Sequence, residues 1–254
     1  MTEFSDVEAF VKEANRLSRL SDLATLLTDA TCELGFDYVA LLHHIHLAAG
    51  ARPTDALQVV HYPEAWRALV NARGYFGDDP VLAACERSAA AFLWSDLPGL
   101  MPMTARQSEI LKSAVSCGLA EGFTVPVNVP GEFIGSCSFG LRTGRELPRK
   151  VLPAAQYVGC FAFEAARRIR RLERNLAGDA GADPRRLSQR QFDCLVLAAQ
   201  GKSDWHIGQL LGISPDTVHQ HIETAKRRYG VATRTQLVVR ALFDSQITFA
   251  DILR

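Results

Sequence analysis

"LSQRQFDCLVLAAQGKSDWHIGQLLGISPDTVHQHIETAKRRYG", residues 187–230, decides the C-terminal fold through its punctuation. Ser188 is placed to cap a helix running to Gln200, Gly201 ends it, and Ser203 caps a second helix through Leu211. Gly212 supplies a tight turn, and Ser214-Pro215 opens a third helix with cap and first-turn proline in their favoured places. A short helix, a glycine turn and a second capped helix is the helix-turn-helix layout. In the third helix Val218, Ile222, Ala225 and Tyr229 follow four-, three- and four-residue steps and face a small core. The opposite face carries Thr217, His219, Gln220, Glu223, Lys226 and Arg227.

Charge points the same way. The 254 residues hold 28 Lys/Arg and 28 Asp/Glu, but from Pro184 onward there are 10 basic and 6 acidic residues, which leaves 18 and 22 before it. A basic module on an acidic body suits a polyanion, because Lys and Arg release counterions from phosphate. The expected partner is double-stranded DNA. His219, Gln220 and Glu223 are placed to read base edges, while Lys202, Thr217, Lys226, Arg227 and Arg234 suit phosphates. A solvated helical face is the bland alternative, and the coincidence of caps, turn and basic excess outweighs it.

"NLAGDAGADPRR", residues 175–186, reads as a linker. Before it, Leu152, Ala155, Val158, Ala162, Ala166, Ile169 and Leu172 mark a helix with one apolar stripe, also the best candidate for a dimer contact. Upstream, residues 5–18 and 21–34 read as helices capped by Ser5 and Ser21, and "FDYVALLHHIHL" and "ALQVVHY" as strands. Residues 63–73, 79–88 and "TARQSEILKSAVSCG" read as helices, and "GFTVPVNVPGEFIGSCSFGLR" as a hairpin turning at Pro130-Gly131. The expected fold class is α+β: an N-terminal α-β-α sandwich with an antiparallel sheet, and a C-terminal all-α helix-turn-helix domain.

The C-terminal segments "LSQRQFDCLVLAAQGKS", "IGQLLGISPDTVHQHI" and "RRYGVATRTQLVVRAL" resemble the LuxR/GerE-type four-helix DNA-binding domain. In activators of that family an acidic residue follows the Arg of the first helix, with a Leu four on and a Gly six beyond. Here those places hold Gln191, Leu195 and Gly201. Gln191 departs from the pattern, which counts against polymerase contact at this point, although the resemblance keeps RNA polymerase among the implied partners.

In the body, "YPEAW", "DDPV", "LWSD" and "GLAEGFTVPV" resemble the autoinducer-binding domain of LuxR-type quorum-sensing receptors. The resemblance implies a ligand-responsive, dimeric transcription regulator that binds an N-acyl-homoserine lactone and a pseudo-palindromic operator. Residues 1–174 would bind ligand and dimerise, 175–186 link, and 187–254 bind DNA. The lactone carbonyl, amide N–H and acyl carbonyl each need a buried partner. Trp66 can donate to the first, Asp79 accept from the second and Tyr62 donate to the third. Ser138 can reach the same carbonyl or a chain substituent, and Trp94 walls the ring. Val70 stands where the family usually has an aromatic, which implies a wider cavity suited to a bulky acyl group. Each has a structural reading too, with Trp94 and Pro80 as core and helix-start residues and Asp78 as a helix cap.

Other classes are disfavoured. No H-x-H-x-D-H or G-x-S-x-G occurs, so no enzyme is expected. His43, His44 and His46 lack the acids and spacing of a metal site, the six cysteines show no C-x-x-C, and no cofactor is implied. The first residues lack a secretory pattern and no window is apolar enough for a membrane span, so the expected location is cytoplasmic. The runner-up is an orphan regulator that needs no ligand, answers a lactone it does not make or acts as a repressor, and an enzyme that processes acyl lactones ranks after it.

Overall fold

The computed structural model describes residues 4–44, 57–129, 132–176, 187–244 and 246–253. They form two compact units, one from the chain up to Asn128 with Phe133–Gly178, the other carrying Asp179–Arg254. The N-terminal unit runs α1 (Phe4–Ala14), α2 (Leu20–Glu33), β1 (Tyr38–His43), β2 (Gln58–His61), α3 (Glu64–Arg73), α4 (Pro80–Cys85) and β3 (Phe92–Leu93). It continues with α5 (Leu97–Leu100), α6 (Ala105–Ser116), β4 (Glu121–Val127), β5 (Gly135–Leu141) and α7 (Leu152–Leu176). The strands make one antiparallel sheet in the order β2-β1-β5-β4-β3.

Strand alternation gives the sheet two different faces. From β5, Cys137, Phe139 and Leu141 enter a core with Val39 and Leu41 of β1, Phe123 and Val125 of β4, and the inner faces of α1, α2 and α7. Ser136 and Ser138 point the other way, toward α3, α4 and α6. Helix α7 lies close because Gly159 faces the sheet: a Cβ there would stand 3.2 Å from that of Cys137.

The apolar stripe of α7 is not a dimer contact. Ala155, Val158, Ala162, Ala166 and Ile169 are fully buried against the sheet, α1 and α2. Only Leu172 remains exposed, and the outer face shows Tyr157 and Phe161 instead. Arg168 fastens the helix by donating to the Ala14 and Leu17 carbonyls at 3.0 and 2.7 Å, which closes the end of α1. Ser5 and Ser21 also depart from expectation, lying inside their helices. Leu20 packs on the core and carries α2 one turn position earlier, with Arg19 as an N-cap that makes no side-chain bond. The short β3 went unread, the Pro130-Gly131 turn lies outside the described residues, and α7 continues two residues into the stretch read as linker, of which 177–186 lie outside them.

The C-terminal unit follows its punctuation: α8 (Gln189–Ala199), α9 (Asp204–Leu211), α10 (Pro215–Tyr229) and α11 (Arg234–Phe243). Ser188, Ser203 and Ser214 each accept a backbone N–H as N-caps, and Gly212 is left-handed at φ 66°. Val218, Ile222 and Ala225 are buried as the spacing requires. A short α12 (Phe249–Ile252) follows. Buried Ile247 and a bond from the Leu187 N–H to Gln246 Oε1, 3.3 Å, tie this end to the unit's start.

The helix-turn-helix angle depends on Gly208, where a Cβ would lie 2.6 Å from the Ile213 carbonyl oxygen. Backbone cannot step aside as a side chain can. Gly208→Ala is expected to destabilise this unit by roughly 1–3 kcal/mol despite alanine's better helix propensity. A thermal midpoint at or above that of the unmodified protein would refute the close approach.

Candidate functional site

The side of the sheet that carries Ser136 and Ser138 is incompletely filled. A cavity of about 880 Å³ lies between that face and α3, α4 and α6, within the ~300–1,000 Å³ typical of small-molecule sites. Tyr62, Trp66, Val70, Asp79, Trp94 and Ser138 all line it. They reach it from separate elements. Tyr62 follows β2, Trp66 and Val70 share one face of α3, Asp79 precedes α4, Trp94 follows β3 and Ser138 sits on β5. Leu42, Leu57, Val60, Val81, Leu82, Ile110 and Leu119 supply apolar wall.

Asp79 has two attachments. Its Oδ1 accepts the Val81 N–H at 2.8 Å, making it the N-cap of α4 with Pro80 at the first helical position. The capping expected of Asp78 therefore falls to its neighbour, and Asp78 pairs with Arg106 at 3.5 Å. Burial pushes the Asp79 carboxyl up to about 6, against bonds from the Val81 and Leu82 backbone that favour the charge. What remains of its surface faces the cavity. Burial, then the nearby Asp79, push the Tyr62 phenol far above its usual range and keep it neutral. The Trp66 indole is buried against Tyr75, centroids 6.1 Å apart, and among the described residues nothing accepts its N–H.

Trp94 does more than pack. Its Nε1–H donates to Thr124 Oγ1 at 2.9 Å, and the Thr124 and Ser138 hydroxyls lie 2.8 Å apart. The ring lies flat on β4 because Gly122 leaves room: a Cβ there would come within 2.5 Å of it. Thr124 escaped the sequence reading. A lone hydroxyl in "GFTVPV", on the same strand face as Gly122, was the available signal. Gln58, Arg67 and Asn71 were also missed, the last two extending the Trp66–Val70 face of α3.

His43 borders the cavity, and His44 Nε2 is 2.9 Å from Ser136 Oγ. Burial, then the adjacent His43, push His44 down to about 4, so it is neutral near pH 7. His46 lies outside the described residues. Among those described, no group of three His, Cys, Asp or Glu is arranged to hold a metal, and no helix is long and apolar enough to cross a membrane.

On the outer face of α10, His219, Gln220 and Arg227 are exposed. Arg227 reaches the Thr224 hydroxyl at 3.3 Å, and several of the other side chains on this face have partners too. Glu223 holds Lys226 at 2.7 Å, and that bond keeps the Glu223 carboxyl below its ordinary value. Arg234 is clamped by Asp204 at 2.7 Å and the Lys202 carbonyl at 2.8 Å, with His219 3.5 Å from the same Asp204. Thr217 shares a 2.8 Å bond with its cap Ser214, and Lys202 is exposed beside α9. Gln191 is buried. It completes the capping box with Ser188 and accepts from Arg228 at 3.3 Å, so it presents no surface to a polymerase.

A small-molecule cavity on one unit and a helix-turn-helix on the other define a ligand-responsive transcription regulator. Residues 19–166 match the autoinducer binding domain, and residues 185–241 match the bacterial regulatory proteins of the luxR family; the chain belongs to this family of regulators, which are not enzymes. It is 29% identical over 181 residues to the transcriptional activator BjaR1 of Bradyrhizobium diazoefficiens, covering 71% of this chain and 72% of that one. With the activator LuxR of Aliivibrio fischeri it shares 23% over 228 residues, 89% and 88% of the two chains. Its fold is that of Escherichia coli SdiA, TM-score 0.74 at 22% identity, covering 96% and 98% of the chains.

The raised Asp79 value has a sign that can be measured. The folded protein holds this proton more tightly than the unfolded chain does, so the carboxyl costs stability as pH rises from its ordinary 3.8 to about 6, and by a constant amount above that. In ligand-free protein the melting temperature of Asp79→Asn should therefore gain on that of the unmodified protein across this window and hold its lead above it. A difference that shrinks with rising pH would contradict the buried carboxyl.

Proposed function

We propose that the cavity binds an N-acyl-homoserine lactone and that binding controls the occupancy of a pseudo-palindromic DNA operator by a homodimer. One observation carries the reading: a neutral donor, Tyr62, a donor-only indole, Trp66, and an acceptor, Asp79, converge on one otherwise apolar cavity. Trp66 takes the lactone carbonyl, Asp79 the amide N–H, and Tyr62 with Ser138 the acyl carbonyl. Trp94 walls the ring. Val70 leaves room beside the first part of the acyl chain, in keeping with a branched, aromatic or otherwise bulky group. Residues 1–174 bind ligand and dimerise, 175–186 link and 187–254 bind DNA in the cytoplasm. With the α7 stripe buried, the outer face of that helix around Tyr157 and Phe161 takes over as the dimer contact.

Mass spectrometry of molecules extracted from protein expressed with candidate lactones tests the ligand class. Recovery of an acylglycerol, the class of molecule in the SdiA complex with octanoyl-rac-glycerol, would overturn the lactone. Asp79→Asn is expected to weaken lactone binding at least about tenfold, because a buried donor loses its charged acceptor. This is opposite in sign to its effect on the empty protein. Val70→Tyr should penalise bulky acyl groups relative to straight chains. Equal losses for all ligands together with a low melting temperature would indicate overpacking instead.

On DNA, Glu223 can only accept, which fits a cytosine N4 amine once Lys226 turns to phosphate. Glu223→Ala should relax preference at one position per half-site, by roughly 1–3 kcal/mol, whereas Arg227→Ala should weaken binding to all sequences and flatten its salt dependence. Site selection that returns an unchanged motif from Glu223→Ala would remove that residue from base reading.

A further inference from the structure

Thr124 lies beneath the cavity wall, fully buried, and bonded to two residues that line it. Its hydrogen bonds have a direction that chemistry alone fixes. An indole N–H can only donate, so Thr124 Oγ1 accepts from Trp94. The Thr124 hydroxyl has one proton of its own, and among the described residues Ser138 Oγ, 2.8 Å away, is the acceptor within its reach. Leaving that proton unbonded in a site closed to solvent is unfavourable. Ser138 therefore accepts from Thr124, and its own proton is left to point into the cavity that Ser138 lines.

We propose that Thr124 is a positioning residue that fixes Ser138 as a donor toward the cavity, so that this wall selects ligands presenting a strong acceptor, a carbonyl oxygen, at that point. The inference rests on the lactone reading and deepens it. A hydroxyl is ambidextrous in isolation and would otherwise accept as readily as it donates. With valine at 124, Ser138 no longer accepts from the wall, so its proton can turn there and its lone pairs toward the ligand. Neither Thr124 nor its methyl group touches the cavity, so its influence passes through Ser138.

The test compares two probes, N-octanoyl-homoserine lactone and the analogue in which the acyl C=O is C=S, a poorer acceptor of nearly the same shape. Binding to purified full-length protein is read by calorimetry. The unmodified protein should prefer the oxygen compound by about tenfold, and Thr124→Val should reduce that preference below about threefold. Thr124→Ser, which keeps the hydroxyl and loses the methyl, should retain it. In Ser138→Ala the relay is already cut, so adding Thr124→Val should change the ratio no further. Where Thr124→Val does not fold, Thr124→Cys, a weak donor, replaces it. A preference that survives Thr124→Val, or is lost equally in Thr124→Ser, overturns the relay while leaving the lactone reading intact. Failure of the unmodified protein to bind either probe or any longer or branched lactone overturns the lactone reading and the relay with it.

Discussion

Strand β5 is covered on both sides, and the sheet's division of labour follows from its two-residue repeat. Cys137, Phe139 and Leu141 are completely buried under α7, α1 and α2, which fixes the register of the strand, because a slip of one residue would send Ser136 and Ser138 into that core and Phe139 into the cavity. The same constraint places hydroxyls where a ligand needs them. Apolar burial on one face thus sets polar geometry on the other. Gly159 and Gly122 serve this arrangement from opposite sides, one letting α7 reach the sheet and the other letting Trp94 lie on it.

Much of the C-terminal unit was legible because its signals are local. A serine three residues before its backbone partner, a left-handed glycine and a proline at the first helical position act over a few residues, and α8 to α10 begin and end where those residues stand. The N-terminal caps failed where tertiary packing outranked local chemistry, as Leu20 did over Ser21. The α7 stripe was correctly seen as buried and wrongly given to a second chain, since periodicity shows that a face is covered without showing by what. For the cavity, the resemblance to the autoinducer-binding domain brought out Tyr62, Trp66 and Asp79, and their donor and acceptor types gave them roles. Thr124 needed the strand register, because its partners lie 30 and 14 positions away.

The outer face of α10 was legible as a face and not as a set of free charges. Lys226, Glu223, Arg234 and Asp204 satisfy one another in the absence of nucleic acid. Such pairs at the surface contribute little stability, so their rearrangement on phosphate is inexpensive. Their effect is to hold these side chains in place on that surface, with part of the ordering entropy already spent.

Asp79 is at once the cap of α4 and the acceptor that the proposed ligand requires. One carboxylate has two oxygens, and Val81 engages Oδ1. A recognition group of this kind cannot drift freely: substitutions that change what the cavity accepts also reset how α4 begins, and α4 brings Val81 and Leu82 to the same wall. On the proposed reading, the position that discriminates ligands is thereby also one that cannot move, and new preferences must be sought around it, at neighbours such as Val70 that line the cavity without capping a helix.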